Sequence, residues 1–124
     1  MPTITKEKLA SMIEHTCLKP DATVGDIEKL CEEAQEHSFH AVMVNPVWVP
    51  LAADILAGSK VKVGTVIGFP LGANRPELKR LEALDAFAHG ATELDYVMDI
   101  GALKAISSAD PCPPPPIDTT PPVG

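Results

Sequence analysis

Two segments of the chain place apolar residues at helical spacing, with charged residues between them. The clearer segment spans residues 21–38, where Thr23 and Asp26 form a possible capping box and acidic residues occupy the wet side; its apolar positions are Ile27, Leu30, Cys31 and Ala34. The second spans residues 75–90, with Pro76 near its start and Gly90 just after its end. Its apolar stripe consists of Leu78, Leu81, Leu84 and Ala88. The pattern predicts two amphipathic helices.

Short apolar runs of strand length alternate with these helices. They begin near His15, His40, Val61 and Thr92, and a third helix is predicted between the second and third runs. This alternation is typical of βαβ units around a parallel sheet. No G-x-G-x-x-G follows any strand, which disfavours a dinucleotide-binding fold. A (β/α)8 barrel needs about 250 residues, so four βα units in roughly 105 residues predict an α/β fold corresponding to half a TIM barrel.

The fourth predicted strand, "TELDYVMDI", carries charge on one face. Alternation places Leu94 and Tyr96 on one side, and Glu93, Asp95 and Asp99 on the other. Carboxylates are costly to bury against apolar helices, so we expect the acidic face to point into a polar barrel interior. Asp95 lies in mid-strand and is the main candidate for a catalytic proton relay or the partner of a buried cation, although a structural hydrogen-bonding role is the alternative. Glu93 and Asp99 could simply lie in water at the strand ends.

Composition narrows the functional classes. The net charge is −7, which disfavours nucleic acid as a partner, and no apolar run reaches the roughly 20 residues of a membrane span. The N-terminus has no signal-peptide pattern. Three cysteines without metal-type spacing favour a reducing compartment, so we expect a cytoplasmic protein.

Other side chains have structural explanations that are at least as good as functional ones. His15 is expected to be packed and hydrogen-bonded, and Glu14 is either a site acid or a solvated flank. His37 and His40 straddle the boundary between a helix and a strand, which disfavours a metal site. The loop 68–74 follows the third strand, where a barrel places its site; its glycines can let the backbone approach a ligand, and a plain tight loop is the alternative.

Four segments together resemble one family, the deoxyribose-phosphate aldolases. They are "IEHTCLKPDAT" (13–23), "HAVMVNPVWVPLAADIL" (40–56), "VKVGTVIGFPLGAN" (61–74) and "GATELDYVMDIGALK" (90–104). The third segment is the most specific, and the order and spacing agree across residues 8–104. The resemblance implies a (β/α)8 barrel and a lyase of deoxyribonucleotide catabolism. Such enzymes reversibly split 2-deoxyribose 5-phosphate into acetaldehyde and glyceraldehyde 3-phosphate through a lysine Schiff base.

The resemblance also implies roles for individual residues. Asp95 falls on the family's proton-relay aspartate, and Thr16 matches a pocket-lining threonine of the first strand. No metal or organic cofactor is implied. The expected partner is a small phosphorylated sugar, with a homo-oligomer as a further expectation. Met43, Gly64 and Asp99 depart from the usual pattern, and Asp99 adds negative charge near Asp95.

The imine-forming lysine of the family lies on a later strand that has no counterpart in this sequence. Lys60 and Lys62 begin the third strand and are expected at the wrong end of a barrel. Lys104 lies past the fourth strand, and nothing marks Lys19 as desolvated. We therefore assign no Schiff-base lysine in this chain and expect it to be inactive alone.

The last part of the chain differs in composition, since seven of the 13 prolines follow Lys104. We expect residues 1–104 to form the N-terminal half of an aldolase-type barrel and residues 105–124 to form a disordered tail. An alternative is a non-catalytic half-barrel that acts through self-association or through its polyproline tail.

Overall fold

The computed structural model describes residues 3–107, which form a parallel sheet flanked by helices. The four strands are β1 (Glu14–Cys17), β2 (Ala41–Val44), β3 (Lys62–Ile67) and β4 (Glu93–Tyr96). They are hydrogen-bonded in the order β1-β2-β3-β4, and every pairing is parallel. The helices are α1 (Lys6–Ala10), α2 (Val24–Glu36), α3 (Val49–Ile55), α4 (Pro76–Ala88) and α5 (Ile100–Ser107). A 3-10 turn at Pro46–Trp48 leads into α3. The predicted α/β half-barrel class is confirmed.

Local sequence signals fix the starts of the first two helices. The Thr5 hydroxyl accepts a hydrogen bond from the Lys8 amide at 3.1 Å and caps α1. At α2 the Thr23 hydroxyl accepts from the Asp26 amide at 3.3 Å. The Asp26 carboxylate in turn accepts from the Thr23 amide at 2.8 Å, which completes the predicted capping box.

The core lies between one face of the sheet and helices α2 and α3. The predicted apolar face of α2 is buried there, namely Ile27, Leu30, Cys31 and Ala34. All four residues of β2 are buried, as expected for a strand with neighbours on both sides. Thr65 is fully buried, and its hydroxyl donates to the Val44 carbonyl at 2.7 Å. Burial raises the pKa of the Cys31 thiol to about 11.

Helix α4 corrects one sequence-based prediction. The spacing of Leu78, Leu81 and Leu84 predicts a buried stripe, but they are 54%, 42% and 52% exposed. Lys79 and Ala86 are buried instead. These two residues are seven apart, two helical turns, so they share the face that meets the sheet. The leucine stripe faces away from that contact, and no other element among residues 3–107 buries it.

Helix α5 extends past the predicted domain boundary. It ends at Ser107, three residues beyond Lys104, so residues 105–107 are helical and not part of a structureless tail. Asp99 begins this helix: its carboxylate accepts from the Ala102 amide at 3.1 Å, and its carbonyl accepts from the Leu103 amide. The rest of the predicted tail, with Cys112, lies outside the described residues. No helix within 3–107 is long and apolar enough to cross a membrane.

Candidate active site

The sheet presents a second face, opposite the helices, that carries the acidic residues. Leu94 packs into the helix-covered core together with alternate residues of the neighbouring strands, Val42, Val44 and Val63. Pleating therefore places Asp95 and Glu93 on the opposite face, which we call the concave face. Glu14 and Thr16 of β1 belong to it as well, and the electrostatic contact between Glu14 and Asp95 is consistent with that placement. The predicted division of β4 therefore holds for Leu94 against Glu93 and Asp95, whereas Asp99 lies past the end of the strand and begins α5.

Asp95 lies on this face toward the C-terminal edge of the sheet. It pairs in register with Val66 of β3, and its side chain is exposed. Active sites of (β/α)8 enzymes form at this edge. The position suits a carboxylate that exchanges protons with a ligand in the barrel interior.

Thr16 lies on the far strand of the same face. Its hydroxyl donates to the Glu14 carbonyl at 2.9 Å, and its lone pairs remain able to accept a hydrogen bond. Thr16 pairs with Met43, which pairs with Gly64, which pairs with Glu93. Thr16 therefore lies level with Glu93, two residues nearer the N-terminal edge than Asp95, and on the strand at the opposite side of the sheet. The Met43 methyl lies 2.7 Å from where a Cβ at Gly64 would be, so a larger residue at position 64 would displace it.

Glu93 has a partner that the sequence does not indicate. Its Oε1 lies 2.5 Å from His40 Nε2, and both side chains are partly buried. The Glu93 carboxylate is therefore hydrogen-bonded to His40 and is not simply solvated at a strand end. Nearby, the pKa of the Glu14 carboxyl is raised, first by burial and then by the charges of Asp95 and Glu93.

Two other histidines, His15 and His37, pack against the Phe39 ring. His15 lies against the Phe39 ring at 5.3 Å and 3.7 Å from the Glu33 carboxylate. His37 stacks on the same ring at 5.4 Å, so His37 and His40 turn to different partners. Within residues 3–107, no group of three His, Cys, Asp or Glu side chains is arranged to hold a metal ion.

The structure buries one lysine, Lys79, that the sequence pattern does not single out. Lys79 of α4 is only 2% exposed, and its Nζ donates to the Val97 carbonyl at 2.9 Å and lies 4.9 Å from the centre of the Tyr96 ring. Its position in an otherwise charged stretch of helix gives no signal of burial. Tyr96 lies on the opposite face of β4 from Asp95, so Lys79 belongs to the helical layer and not to the concave face.

Four other lysines lie at or just before the start of β3 or in exposed positions. Lys60 and Lys62 lie at the N-terminal end of β3, in agreement with the sequence-based expectation. Lys19 and Lys104 are exposed.

The loop 68–74 packs against the end of β4. Gly68 and Gly72 both have positive φ, of 68° and 66°. A Cβ at Gly72 would clash with the Met98 carbonyl oxygen. The close approach that Gly72 permits is therefore between the loop and the backbone at Met98 of this chain.

Known proteins that resemble this chain in sequence include deoxyribose-phosphate aldolases. No protein-family profile matches the chain. A curated deoxyribose-phosphate aldolase of Brevibacillus brevis is 61% identical over 93 residues, covering 75% of this chain and 42% of that protein. One from a Geobacillus species is 56% identical over 99 residues, covering 80% and 44%. The chain thus spans less than half the length of the curated relatives it matches.

Solved structures agree. A candidate deoxyribose-phosphate aldolase of Coccidioides immitis superimposes with a TM-score of 0.80 at 39% identity, covering 84% of this chain and 41% of that one. The tetrameric deoxyribose phosphate aldolase of Aeropyrum pernix gives a TM-score of 0.74 at 38% identity, covering 78% and 42%. By sequence and by fold, the chain is similar to deoxyribose-phosphate aldolases over the residues that align, which are less than half of each relative.

Proposed function

We propose that this chain forms the proton-relay side of a Schiff-base deoxyribose-phosphate aldolase. The observation that carries the proposal is the carboxylate of Asp95, which lies on the concave face of a half-barrel toward its C-terminal edge. The substrate would be 2-deoxyribose 5-phosphate, split into acetaldehyde and glyceraldehyde 3-phosphate in the cytoplasm. No organic cofactor or metal takes part in the proposed reaction.

The chemistry requires an amine and a proton acceptor. A lysine amine adds to the sugar aldehyde and water leaves, which gives an imine. The imine accepts the bonding electron pair as the carbon–carbon bond breaks, and a carboxylate receives the proton of the hydroxyl that becomes the new aldehyde. Asp95 would hold and move that proton. The Thr16 hydroxyl, which lies on the same side of the sheet, would accept a hydrogen bond from the sugar.

The amine is proposed to come from a polypeptide segment other than residues 1–124. Lys79 is engaged with the Val97 carbonyl in the helical layer, and Lys62 lies at the edge of the sheet away from Asp95. Lys19 and Lys104 are exposed to solvent. The chain by itself is therefore expected to cleave no sugar.

Trapping with borohydride tests the missing amine. The chain is incubated with acetaldehyde and borohydride, with the full-length Brevibacillus brevis relative as positive control. We expect stoichiometric ethylation of one lysine in the relative and only slow, scattered modification of surface lysines in this chain. Stoichiometric modification of a single lysine in this chain would contradict the assignment.

Complementation tests Asp95 itself. The chain is co-expressed with the part of the Brevibacillus brevis relative that it does not span, and aldol cleavage is measured. Where cleavage is restored, Asp95→Asn should lower kcat by about 100-fold or more, because general acid–base groups contribute factors of that size. Asp99→Asn is the matched control, since asparagine caps a helix as well as aspartate does. Equal losses in both variants would refute the role of Asp95.

A half-barrel that acts through self-association is the second candidate function. It is supported by exposed apolar side chains along α4 and at and just past the end of β4, namely Leu81, Leu84, Phe87, Tyr96 and Met98. Strands β1 and β4 also have one unpaired edge each within residues 3–107. Light scattering on the purified chain decides: a discrete dimer supports self-association, and a monomer contradicts it. The polyproline alternative concerns residues outside the described range.

A further inference from the structure

Two side chains of α4 hold two different backbone segments at the C-terminal edge of the sheet. Lys79 Nζ donates to the carbonyl of Val97, just past the end of β4, at 2.9 Å. Glu82 Oε1 accepts from the amide of Gly68, just past the end of β3, at 2.7 Å. Residues three apart lie on the same side of a helix, so one face of α4 ties the ends of two neighbouring strands together.

The loop that follows β3 rests on this pair. The Gly72 amide donates to the Gly68 carbonyl at 2.6 Å and closes the turn. A Cβ at Gly68 would lie 3.0 Å from Lys79 Cε, so the lysine stem fills the space directly beneath the loop. A Cβ at Gly72 would lie 2.8 Å from Val97 Cγ1. The lysine stem, the loop and residues 97–98 therefore form one continuous packed layer.

Packing alone does not require an ammonium group at this position. The partners of Lys79 among the described residues are one carbonyl and the face of Tyr96. Taking a charge out of water costs free energy unless hydrogen bonds or opposite charges offset it. A methionine would fill the same space without that cost. What methionine cannot supply is the hydrogen bond to Val97.

We propose that Lys79 is a positioning residue of the candidate active site and acts through the Val97 carbonyl. Val97 lies two residues beyond Asp95, and its amide donates to the Ile67 carbonyl at 2.9 Å, which continues the ladder between β3 and β4. With Val97 held from both sides, the strand end cannot fray. The depth of the Asp95 carboxylate on the concave face is then fixed relative to the loop 68–74. The assignment to a catalytic site rests on the function proposed above.

Hydrogen exchange on the intact chain tests the proposal without any catalysis. In the native protein, the amides of Val97 and Gly72 should exchange as slowly as those within β3. In Lys79→Met, we expect exchange at these two amides to accelerate at least about tenfold, since the Val97 carbonyl loses its donor. The amides of Ile27 and Leu30 in α2 should change less than about twofold. Glu82→Gln, which keeps an acceptor for the Gly68 amide, is the matched control.

A conservative replacement separates the hydrogen bond from simple packing. Lys79→Arg keeps a cationic donor and should restore slow exchange at Val97, whereas a purely structural role would be met as well by methionine. Fast exchange at Gly72 and Val97 in the native protein would overturn the proposal even if no variant folds. Unchanged exchange in Lys79→Met, or equal acceleration throughout α2, would overturn it too. None of these outcomes depends on whether aldol cleavage can be restored.

Discussion

At the scale of single residues, the concave face is dominated by negative charge. Glu14, Glu93 and Asp95 lie on it, and the imidazole of His40 is hydrogen-bonded to Glu93. The pKa of Glu14 is raised by burial and by the two other carboxylates. A raised pKa means that the fold favours the protonated form of Glu14 over its ionised form. Stability from this group is therefore full below the unfolded pKa and is lost as the pH rises through the folded pKa.

Replacement of Glu14 by glutamine, which does not ionise, should remove the loss of stability that occurs as the pH rises. At about pH 7 we expect Glu14→Gln to unfold at a higher temperature than the native chain, because an ionised carboxylate no longer faces Asp95 and Glu93. At about pH 4, where Glu14 is largely protonated in both states, the two midpoints should converge. Thermal unfolding followed by circular dichroism across this range measures the difference. Glu28→Gln, on the exposed side of α2, is the matched control, and an equal pH profile in both variants would refute the explanation.

At the scale of elements, α2 and α4 show what periodicity can and cannot predict. In α2 the apolar residues and the capping signals agree, so its bounds and buried face follow from the sequence. In α4 the leucine spacing identifies an apolar stripe, but spacing does not say which neighbour covers it. The buried residues of α4 are instead Ala86 and Lys79, and the Lys79 ammonium group donates a hydrogen bond to a carbonyl just past β4.

The candidate site, like the helices, follows from the sequence only where a local pattern specifies it. The face of Asp95 follows from alternation along one strand, a purely local property. The contact between His40 and Glu93 joins residues 53 positions apart, and that between Lys79 and Val97 joins residues 18 apart. Such pairs depend on strand order and register, which no local pattern specifies.

The capping box of α2 allows a test at this scale. Thr23→Ala removes the acceptor for the Asp26 amide and should lower the free energy of unfolding by about 1 kcal/mol. Urea denaturation with an unchanged m-value would measure it. Thr23→Ser keeps the hydroxyl and should lie close to the native chain. A loss in the serine variant as large as in the alanine variant would mean that the methyl group, and not the cap, stabilises the helix.

At the scale of the whole molecule, one core between the sheet and helices α2 and α3 carries the fold. Ile27 is fully buried in it, whereas Leu84 of α4 is half exposed. We expect Ile27→Ala to cost about 2–5 kcal/mol, a large part of the roughly 5–15 kcal/mol of a typical domain. Leu84→Ala should change stability by less than about 0.5 kcal/mol in the monomer. Urea titrations of both variants at low protein concentration compare them, and a similar cost at both sites would show that the leucine stripe is covered.

The burial of Cys31 has a consequence for measuring how this core opens. A thiol reacts with alkylating reagents as its thiolate, and a pKa of about 11 in a fully buried site suppresses that form while the core is closed. Cys17 is only partly buried and supplies an internal reference for the same reagent in the same sample. The rate at Cys31 relative to the rate at Cys17 should then rise and fall with how often the core around Cys31 opens. The native chain can thus report its own rare opening, with no substitution and no attached label.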